Sequence, residues 1–235
     1  MSSEGALGSV DGTVRVRRRL AGARMLLLAG WALAAIGYYG AWVNHGTSGL
    51  TLSGVDMGEF VKFLPGVLDG SLKIVRQLLY LPPFAIVVSV ALLVGSERLG
   101  YPALLRLLVL VLAVPVSLQL LPPAWSVGSL ISAEFRVQTF ALGISWLLLA
   151  GFWLWGRLPD SWAGSVSAIL CLAAIILPAW QYLIAKPAVN AVYGKAPGTG
   201  WGLYLCMAGL LLTAIGSLVL IAGAERPPAP AWTGE

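Results

Sequence analysis

Charged residues, histidine and cysteine are all scarce in this chain of 235 residues. Charged side chains make up 11% of the sequence, which contains one histidine and two cysteines. Soluble domains are roughly a quarter charged, so we expect neither an ordinary soluble domain nor a nucleic-acid partner. One histidine cannot ligate a haem from both sides, and two cysteines cannot hold an iron–sulfur cluster, which takes four ligands. The composition therefore predicts neither of these cofactors.

Apolar residues take the place of the missing charges. They make up 58% of the chain, and its mean hydropathy is +0.85. About 20 apolar residues cross the ~30 Å hydrocarbon core of a bilayer, and runs of this length are found at 25–43, 77–96, 103–121, 138–156, 163–184 and 201–223. The runs are apolar on all sides, so each is predicted to be a helix. The sequence predicts an all-α integral membrane protein of the plasma (inner) membrane, with six transmembrane helices in a domain spanning 25–223.

The positive charges of the loops predict the orientation, because cytoplasmic loops carry an excess of lysine and arginine. Placing the N-terminus in the cytoplasm puts more of these residues inside than outside, and this balance depends on the arginines at 15–19 and on Arg24. Residues 1–24 are predicted to be a basic cytoplasmic tail and 224–235 a Pro-rich one, with 1–12 and 225–235 disordered. The basic start also fits a secretory signal. The first apolar run is longer than a signal core, however, so we expect an uncleaved span.

The predicted spans lack ionisable residues at depth. No Asp, Glu, Lys or His lies within the six apolar cores, and Arg106 is close enough to the inner end to reach the interface. Ionisable side chains inside a membrane usually mark ion sites and proton relays, so their absence argues against an ion-driven transporter. A Gly-x-x-x-x-Gly-Lys nucleotide-binding motif is also missing. A transport function would therefore take its energy from a partner protein.

Small residues recur at helical spacing in the first and last predicted spans. The stripe on the last span consists of Gly202, Cys206, Gly209, Thr213, Gly216 and Gly223, and the stripe on the first consists of Gly30, Ala34, Gly37 and Ala41. Small residues let two backbones approach closely, which matters in lipid because van der Waals packing drives helix association there. We predict that the two spans pack together through these stripes. The alternatives are that a stripe faces another subunit, a lipid, or a flat pigment or quinone ring.

The first outer loop, residues 44–76, carries most of the polar chemistry. Asp56 stands three residues before Glu59, which is a capping-box spacing, and apolar residues follow at helical spacing. We predict a short amphipathic helix over about 56–65, lying on the outer membrane surface or folded over the bundle. Glu59 and Lys62 are placed to form an i, i+3 ion pair. The residues predicted to dock a partner from this loop are Asp56, Glu59, Phe60, Lys62 and Phe63.

The same outer face offers groups for acid–base or metal chemistry. Two carboxylates and a histidine can act as acid and base or hold a metal. The sequence has no HExxH, Gly-x-Ser-x-Gly or Cys-x-x-Cys motif, so we expect a solvated charged face and no metal site, with His45 as a weak candidate ligand. The enzymatic alternative is an activity toward lipids that uses Asp56, Glu59 and Glu134.

Tryptophans accompany the predicted span ends, where an amphipathic indole is stable at headgroup depth. Those near outer ends are Trp42, Trp125, Trp180 and Trp201. Trp31 and Trp146 lie deeper, so each indole N–H is predicted to need a hydrogen-bond partner.

These features together predict a non-enzymatic subunit or assembly factor of a larger membrane complex. It would contact lipids and other integral membrane subunits through the small-residue stripes and the first outer loop. The alternative is a permease or exporter component for an apolar or lipid-like substrate, energised by a partner protein. No cofactor is predicted, a bound lipid is compatible with either function, and a pigment or quinone is the alternative ligand.

Overall fold

The computed structural model describes residues 3–45, 51–123, 125–194 and 197–224. The α-helices within these residues are α1 (Ser3–Tyr39), α2 (Gly54–Phe60), α3 (Pro65–Leu68), α4 (Leu81–Leu93), α5 (Ala103–Ser117), α6 (Val127–Ile131), α7 (Arg136–Ala150), α8 (Phe152–Trp155), α9 (Asp160–Tyr193) and α10 (Trp201–Ala224). The shorter elements are strands β1 (Ala41–Asn44), β2 (Leu52–Ser53) and β3 (Gly198–Thr199), and 3₁₀ turns at Val61–Phe63, Arg76–Tyr80 and Leu118–Leu120.

Within the described residues, five helical segments are long and apolar enough to cross a membrane. They are Val16–Tyr39, Arg76–Leu93, Ala103–Leu120, Asp160–Tyr193 and Trp201–Gly223. The chain is therefore mostly helical and of the multi-pass membrane class. We call the end of the bundle where α1 ends and α10 begins the outer end, and the opposite end the inner end.

The predicted span at 138–156 is divided into two helices, α7 and α8. α7 has 15 residues, which is about 22 Å at 1.5 Å per residue, and it gives way to α8 at Gly151. A side chain at Gly151 would lie 3.0 Å from the indole nitrogen of Trp155, and that nitrogen donates a 3.0 Å hydrogen bond to the Leu148 carbonyl. Gly151 therefore makes room for the Trp155 indole. The indole N–H bonds to the Leu148 carbonyl, which lacks a backbone donor where the helix is interrupted.

α4 is the central helix of the bundle, and it packs against α1, α5, α7 and α9. Its sequence LPPFAIVVSVALL is apolar on all sides, as expected of a helix with neighbours all round. Pro82 and Pro83 lie in its first turn, where a missing N–H costs nothing. Side chains spread around the helix, such as Ala85, Val87 and Leu93, are fully buried.

Two boundaries differ from the sequence prediction. Residues 3–12, predicted to be disordered, belong to α1, which is continuous from Ser3 to Tyr39. The fifth predicted span, 163–184, lies inside the 34-residue helix α9, which at 1.5 Å per residue is about 50 Å long and exceeds a ~30 Å hydrocarbon core. Pro178 and Pro187 lie within α9 without ending it. Residues 225–235 of the predicted C-terminal tail lie outside the described residues.

The outer end of the bundle is closed by a structure that we call the outer cap, formed by β1, β2, α2, the Val61–Phe63 turn and α3. β1 lies between β2 and β3 in a small antiparallel sheet, with Val43 opposite Thr199. The sheet joins the end of α1 to the start of α10. Trp42 of β1, predicted to lie at the membrane interface, is instead fully buried.

The predicted amphipathic helix at 56–65 forms as α2, a 3₁₀ turn and α3, folded over the bundle. The predicted capping box begins three residues too late. Ser53 is the N-cap of α2, its hydroxyl accepting from the Asp56 N–H (3.2 Å), while Asp56 Oδ2 accepts from the Ser53 N–H (3.0 Å). Pro65, predicted to end the helical stretch, occupies the first turn of α3 instead.

Candidate functional site

A groove of about 670 Å³ runs between α1 and α5, with α4 as its floor. Its lining comes from α1, the residue after it, α4, α5 and the first residue of α10, and consists of Leu28, Trp31, Ala32, Ala35, Ile36, Tyr39, Gly40, Ile86, Val90, Val109, Leu112, Ala113, Pro115, Val116 and Trp201. The lining is almost wholly apolar. The volume falls in the range of roughly 300–1,000 Å³ that is usual for ligand pockets.

The floor of the groove is buried, whereas its rims are exposed. Ile86 and Val90 of α4 are each 2% exposed, while Ile36 of α1 and Leu112 of α5 are 54% and 56% exposed. A groove with this profile opens sideways between the two helices, toward the surface that the bundle presents to lipid. An apolar chain lying in it would contact apolar side chains on three sides.

The sequence of α1 leaves this space because short side chains face it. Ala32 and Ala35 line the groove at helical spacing, and their methyl groups fill little of the space toward α5. Most of the facing residues of α5, such as Val109 and Leu112, are β-branched or bulky and disfavour a close approach of the two backbones. α4 packs against both helices and holds them on either side of the groove.

A polar contact crosses the groove at its outer end. The Tyr39 hydroxyl donates to the Pro115 carbonyl (3.0 Å), and the Gln119 amide donates to the Tyr39 oxygen (2.7 Å). Pro115 lies inside α5. The contact joins α1 to α5 at one end of an otherwise apolar groove, and so gives the groove a defined outer limit.

The opposite face of α1 carries the predicted small-residue stripe, which lies directly against α10. A side chain at Gly30 would lie 2.7 Å from the Thr213 nitrogen and 2.8 Å from the Gly209 oxygen. A side chain at Gly209 would lie 2.7 Å from the Ala34 Cα. The two backbones therefore approach as closely as these glycines permit, and this part of each stripe is occupied within the chain.

The remaining stripe residues contact the partner helix in different ways. A side chain at Gly37 would overlap Cys206 and lie 2.7 Å from the Gly202 oxygen. Near the inner end the approach loosens, since a side chain at Gly216 would lie 3.0 Å from Leu27 and one at Gly223 would lie 3.6 Å from Leu20. Ala41 belongs to β1, and it lies against Gly200 rather than in the helical stripe.

Two of the loop residues predicted to dock a partner, Glu59 and Lys62, form a charge cluster with Arg76 and Glu134 at the edge of the outer cap. Glu59 accepts from Lys62 (2.7 Å), in the i, i+3 pair that the spacing predicted, and from Arg76 (3.2 Å). Arg76 also lies 3.1 Å from a carboxylate oxygen of Glu134, and its guanidinium carbon is 4.8 Å from the centre of the Phe135 ring. Two cations and two carboxylates thus neutralise one another in ion pairs, which connect the cap to the residues just before α7.

The Glu59 carboxylate is the most constrained group of this cluster. Burial alone would raise its pKa, but hydrogen bonds from Lys62 and Tyr80, together with the charges of Lys62 and Arg76, hold the pKa below its ordinary value of 4.5. The Tyr80 hydroxyl donates to it at 2.7 Å. Because its pKa is lowered, the Glu59 carboxylate stays ionised and is a poor proton acceptor, so its role is to stabilise the structure.

The other predicted loop residues form no ion pair in this cluster, although the Phe63 ring centre lies 5.2 Å from Lys62 Nζ. Asp56 caps α2 through Ser53. Phe60 is half-buried with its ring centre 6.1 Å from that of Tyr193, whereas Phe63 is exposed. The His45 ring lies 5.4 Å from the Tyr193 ring. Among the described residues, no group of three or more His, Cys, Asp or Glu side chains is arranged to hold a metal ion.

A chain of buried hydroxyl groups crosses the centre of the bundle. The Trp31 indole donates to Ser89 (2.9 Å), Ser167 donates to Ser89 (2.8 Å), and Ser217 donates to Ser167 (3.0 Å). These residues lie on α1, α4, α9 and α10, so the chain links four helices. The sequence predicted a partner for Trp31 but not its identity. The deep indole of Trp146 likewise donates to a serine, Ser117, at 3.0 Å.

The sequence did not point to the groove, because its lining is distributed over four helices and contains no charged residue. Comparison of the chain with protein-family models, with curated proteins and with solved structures finds no match.

Proposed function

We propose that this chain is a non-enzymatic membrane protein that binds an apolar, lipid-like molecule in the groove between α1 and α5. The observation that carries this proposal is the groove itself, about 670 Å³ in volume and lined almost wholly by apolar side chains. Its sideways opening suits a ligand that arrives from the bilayer rather than from water. Binding of this kind fits a component of a permease or exporter for lipid-like substrates, with energy supplied by a partner protein.

Selective binding needs more than apolarity, because lipid tails are as apolar as the groove. Association inside a bilayer depends on close packing and on polar contacts. The groove offers both, since it has a shaped floor formed by Ile86 and Val90 and a polar limit formed by Tyr39 and Gln119. We therefore expect one chain-shaped ligand to be held more tightly than the surrounding lipid.

Filling the groove tests this proposal. Ala32 lines the groove and its side chain is exposed, so Ala32→Leu places three extra carbons in the ligand's path without crowding the core. Native mass spectrometry of the detergent-solubilised protein should show a retained lipid on the unaltered chain. The variant should retain it about tenfold less, equivalent to about 1.4 kcal/mol.

The matched control is Ala222→Leu, because Ala222 is an exposed alanine of α10 that lies outside the groove. It should retain lipid as the unaltered chain does. Equal lipid retention by the Ala32 and Ala222 variants would contradict binding in the groove.

Membership of a larger membrane complex is the second proposal, and the exposure of α5 supports it. α5 is the least buried of the spanning segments, and its outward residues Leu104, Leu107 and Val111 are all more than half exposed. Another integral membrane subunit packed on this helix would bury them. Co-purification from native membranes of one other membrane protein at fixed stoichiometry is the expected result, and its loss in Leu107→Trp would locate the contact on α5.

We further propose that α7 and α8 together make a sixth crossing, with both termini cytoplasmic and the protein in the plasma membrane. Glu134, just before α7, pairs with Arg76 at the outer end. At the inner end, a side chain at Gly95 would lie 3.0 Å from the Cα of Gly156, just after α8. The segment between them thus runs alongside the whole height of α4. Cysteine labelling from each side of the membrane, at positions 134 and 158, tests this topology.

A further inference from the structure

The inner end of the groove is flanked by two arginines. Arg24 precedes the groove-lining Leu28 of α1 by four residues, and Arg106 precedes the groove-lining Val109 of α5 by three. Residues three or four apart share a helix face. Each arginine therefore continues a groove-facing stripe by one turn toward the inner end.

Neither arginine has a carboxylate partner among the residues that the structure describes. In the described ion pairs, the carboxylates of Glu59, Glu134 and Asp160 pair with cations other than these two arginines, namely Lys62, Arg76 and Arg98. Arg24 donates one long hydrogen bond, 3.4 Å, to the Gly100 carbonyl. The Nε of Arg106 is buried and has no hydrogen-bond partner. An uncompensated guanidinium with a buried donor favours an anion as its ligand.

Tyr101 supplies a further unsatisfied donor at this end. Its side chain is 4% exposed, its hydroxyl has no hydrogen-bond partner, and its ring centre lies 6.3 Å from that of the groove-lining Trp31. Burial raises the pKa of this hydroxyl, against the opposing charge of Arg24, so the group remains a donor at neutral pH. Two residues later α5 begins, and Pro102 provides no side-chain cap for its first amides, which adds a positive helix end.

We propose that the ligand of the groove is an anionic phospholipid, with an acyl chain lying between α1 and α5 and its phosphate bound by Arg24, Arg106 and the Tyr101 hydroxyl. This proposal rests on the proposed function and adds the charge of the ligand to it. Guanidinium groups match phosphate oxygens in geometry and charge. Basic pockets between membrane helices on the cytoplasmic side are known to bind anionic headgroups.

A competition between two lipids with identical acyl chains tests the headgroup site. The purified full chain is titrated with phosphatidylglycerol and with phosphatidylcholine, and bound lipid is counted by native mass spectrometry. The unaltered chain should prefer phosphatidylglycerol. Arg24→Gln and Arg106→Gln should each weaken this preference about fivefold, the factor expected for one basic residue near a membrane surface, whereas Arg106→Lys should keep most of it.

Arg157→Gln is the matched control, because Arg157 also lies at the inner end but its guanidinium carbon is 5.5 Å from the Trp153 ring, away from the groove. It should leave the preference unchanged. Equal binding of both lipids, with no effect of Arg24→Gln or Arg106→Gln, would overturn the headgroup site. Displacement of bound lipid by inorganic phosphate alone would also overturn it, since the site would then recognise free phosphate.

The outcome for Ala32→Leu separates this inference from the proposed function. If both lipids bind equally and Ala32→Leu weakens both, the groove binds lipid without regard to charge and only the headgroup site fails. If Ala32→Leu changes neither, the proposed function fails as well.

Discussion

The two sides of α1 differ in how they meet their neighbouring helices. On one side, Gly30 and Gly37 let α1 contact the backbone of α10 directly. On the other side, Ala32 and Ala35 face α5 across a groove of about 670 Å³. Both sides include small residues, but the groove side of α1 also carries Leu28, Trp31, Ile36 and Tyr39. The partner helices differ as well, because α10 presents glycines to α1, whereas α5 presents mainly valine, leucine and proline with one alanine, Ala113.

This contrast reflects the way helices associate in lipid. Without a hydrophobic driving force between helices, two surfaces associate where their shapes match and remain apart where they do not. The α1–α10 contact therefore stabilises the bundle, while the α1–α5 gap leaves room for a ligand. Substitutions on the two sides of α1 and in the outer cap test this difference.

Leucine at two positions of α1, 32 and 34, should give the largest difference in stability. Ala34 is fully buried, whereas Ala32 is exposed on the groove side. Ala34→Leu overpacks the contact with α10 and should lower the free energy of unfolding by about 3 kcal/mol, and Ala32→Leu should change it by less than about 0.5 kcal/mol. Unfolding in mixed micelles measures both. Equal losses would mean that the two sides of α1 are packed alike.

A single methyl group on α10 should give a smaller loss. The added carbon of Gly209→Ala would lie 2.7 Å from the Gly30 oxygen, so the helices must separate, at a cost of about 1–2 kcal/mol. A side chain at Gly22 of α1 meets nothing within 4 Å. Gly22→Ala should therefore be neutral or slightly stabilising, since alanine favours the helix. A neutral Gly209→Ala, measured in the same micelles, would show that the helices are not in close contact.

The outer cap, unlike the α1–α10 contact, should respond to pH. The pKa of Glu59 is lower in the folded protein than its ordinary value of 4.5, so its charge stabilises the fold above that value, and this contribution is lost as the pH falls through the lower folded pKa. Glu59→Gln should lower the free energy of unfolding by about 1–2 kcal/mol at pH 7, and by less at pH 3. A difference that stays constant between these pH values would exclude the carboxylate charge as the cause.

The serine chain that holds α4 to its neighbours should give the smallest effect. Ser89→Ala removes the acceptor of the Trp31 indole and of Ser167, and hydrogen bonds between membrane helices contribute about 0.6 kcal/mol on average, so a loss of about 1 kcal/mol is expected. Ser145 is also buried but donates only to Ala141 of its own helix. Ser145→Ala should change stability by less, and a larger loss there would show that the interhelical chain is not what stabilises this region.

The sequence predicted well where a single helix carries the signal. Five of the predicted spans correspond to long apolar helices, and the Glu59–Lys62 pair followed from its spacing. The spacing of Asp56 and Glu59 wrongly predicted a capping box between them. Ser53 is the N-cap of α2 and Asp56 is its partner in the capping box, whereas Glu59 pairs with Arg76. A local sequence pattern does not show which distant residue a side chain will contact in the folded protein.

Features that depend on the packing of several helices could not be predicted from the sequence. Trp42 is amphipathic, as interfacial tryptophans are, and its burial depends on the pairing of β1 with β3. The groove requires knowing that α5 stands beside α1 and that neither helix fills the space between them. Arg106 was predicted to reach the inner interface, but the burial of its Nε without a hydrogen-bond partner follows only from the packing of the folded chain.

A crystal structure of the protein grown from a lipidic mesophase would show both sides of α1 in one experiment. We expect close backbone contact between α1 and α10, together with chain-shaped density between α1 and α5 that ends near Arg24 and Arg106. If α5 instead packs against α1 and side chains of the two helices fill the groove, lipid binding in the groove is excluded.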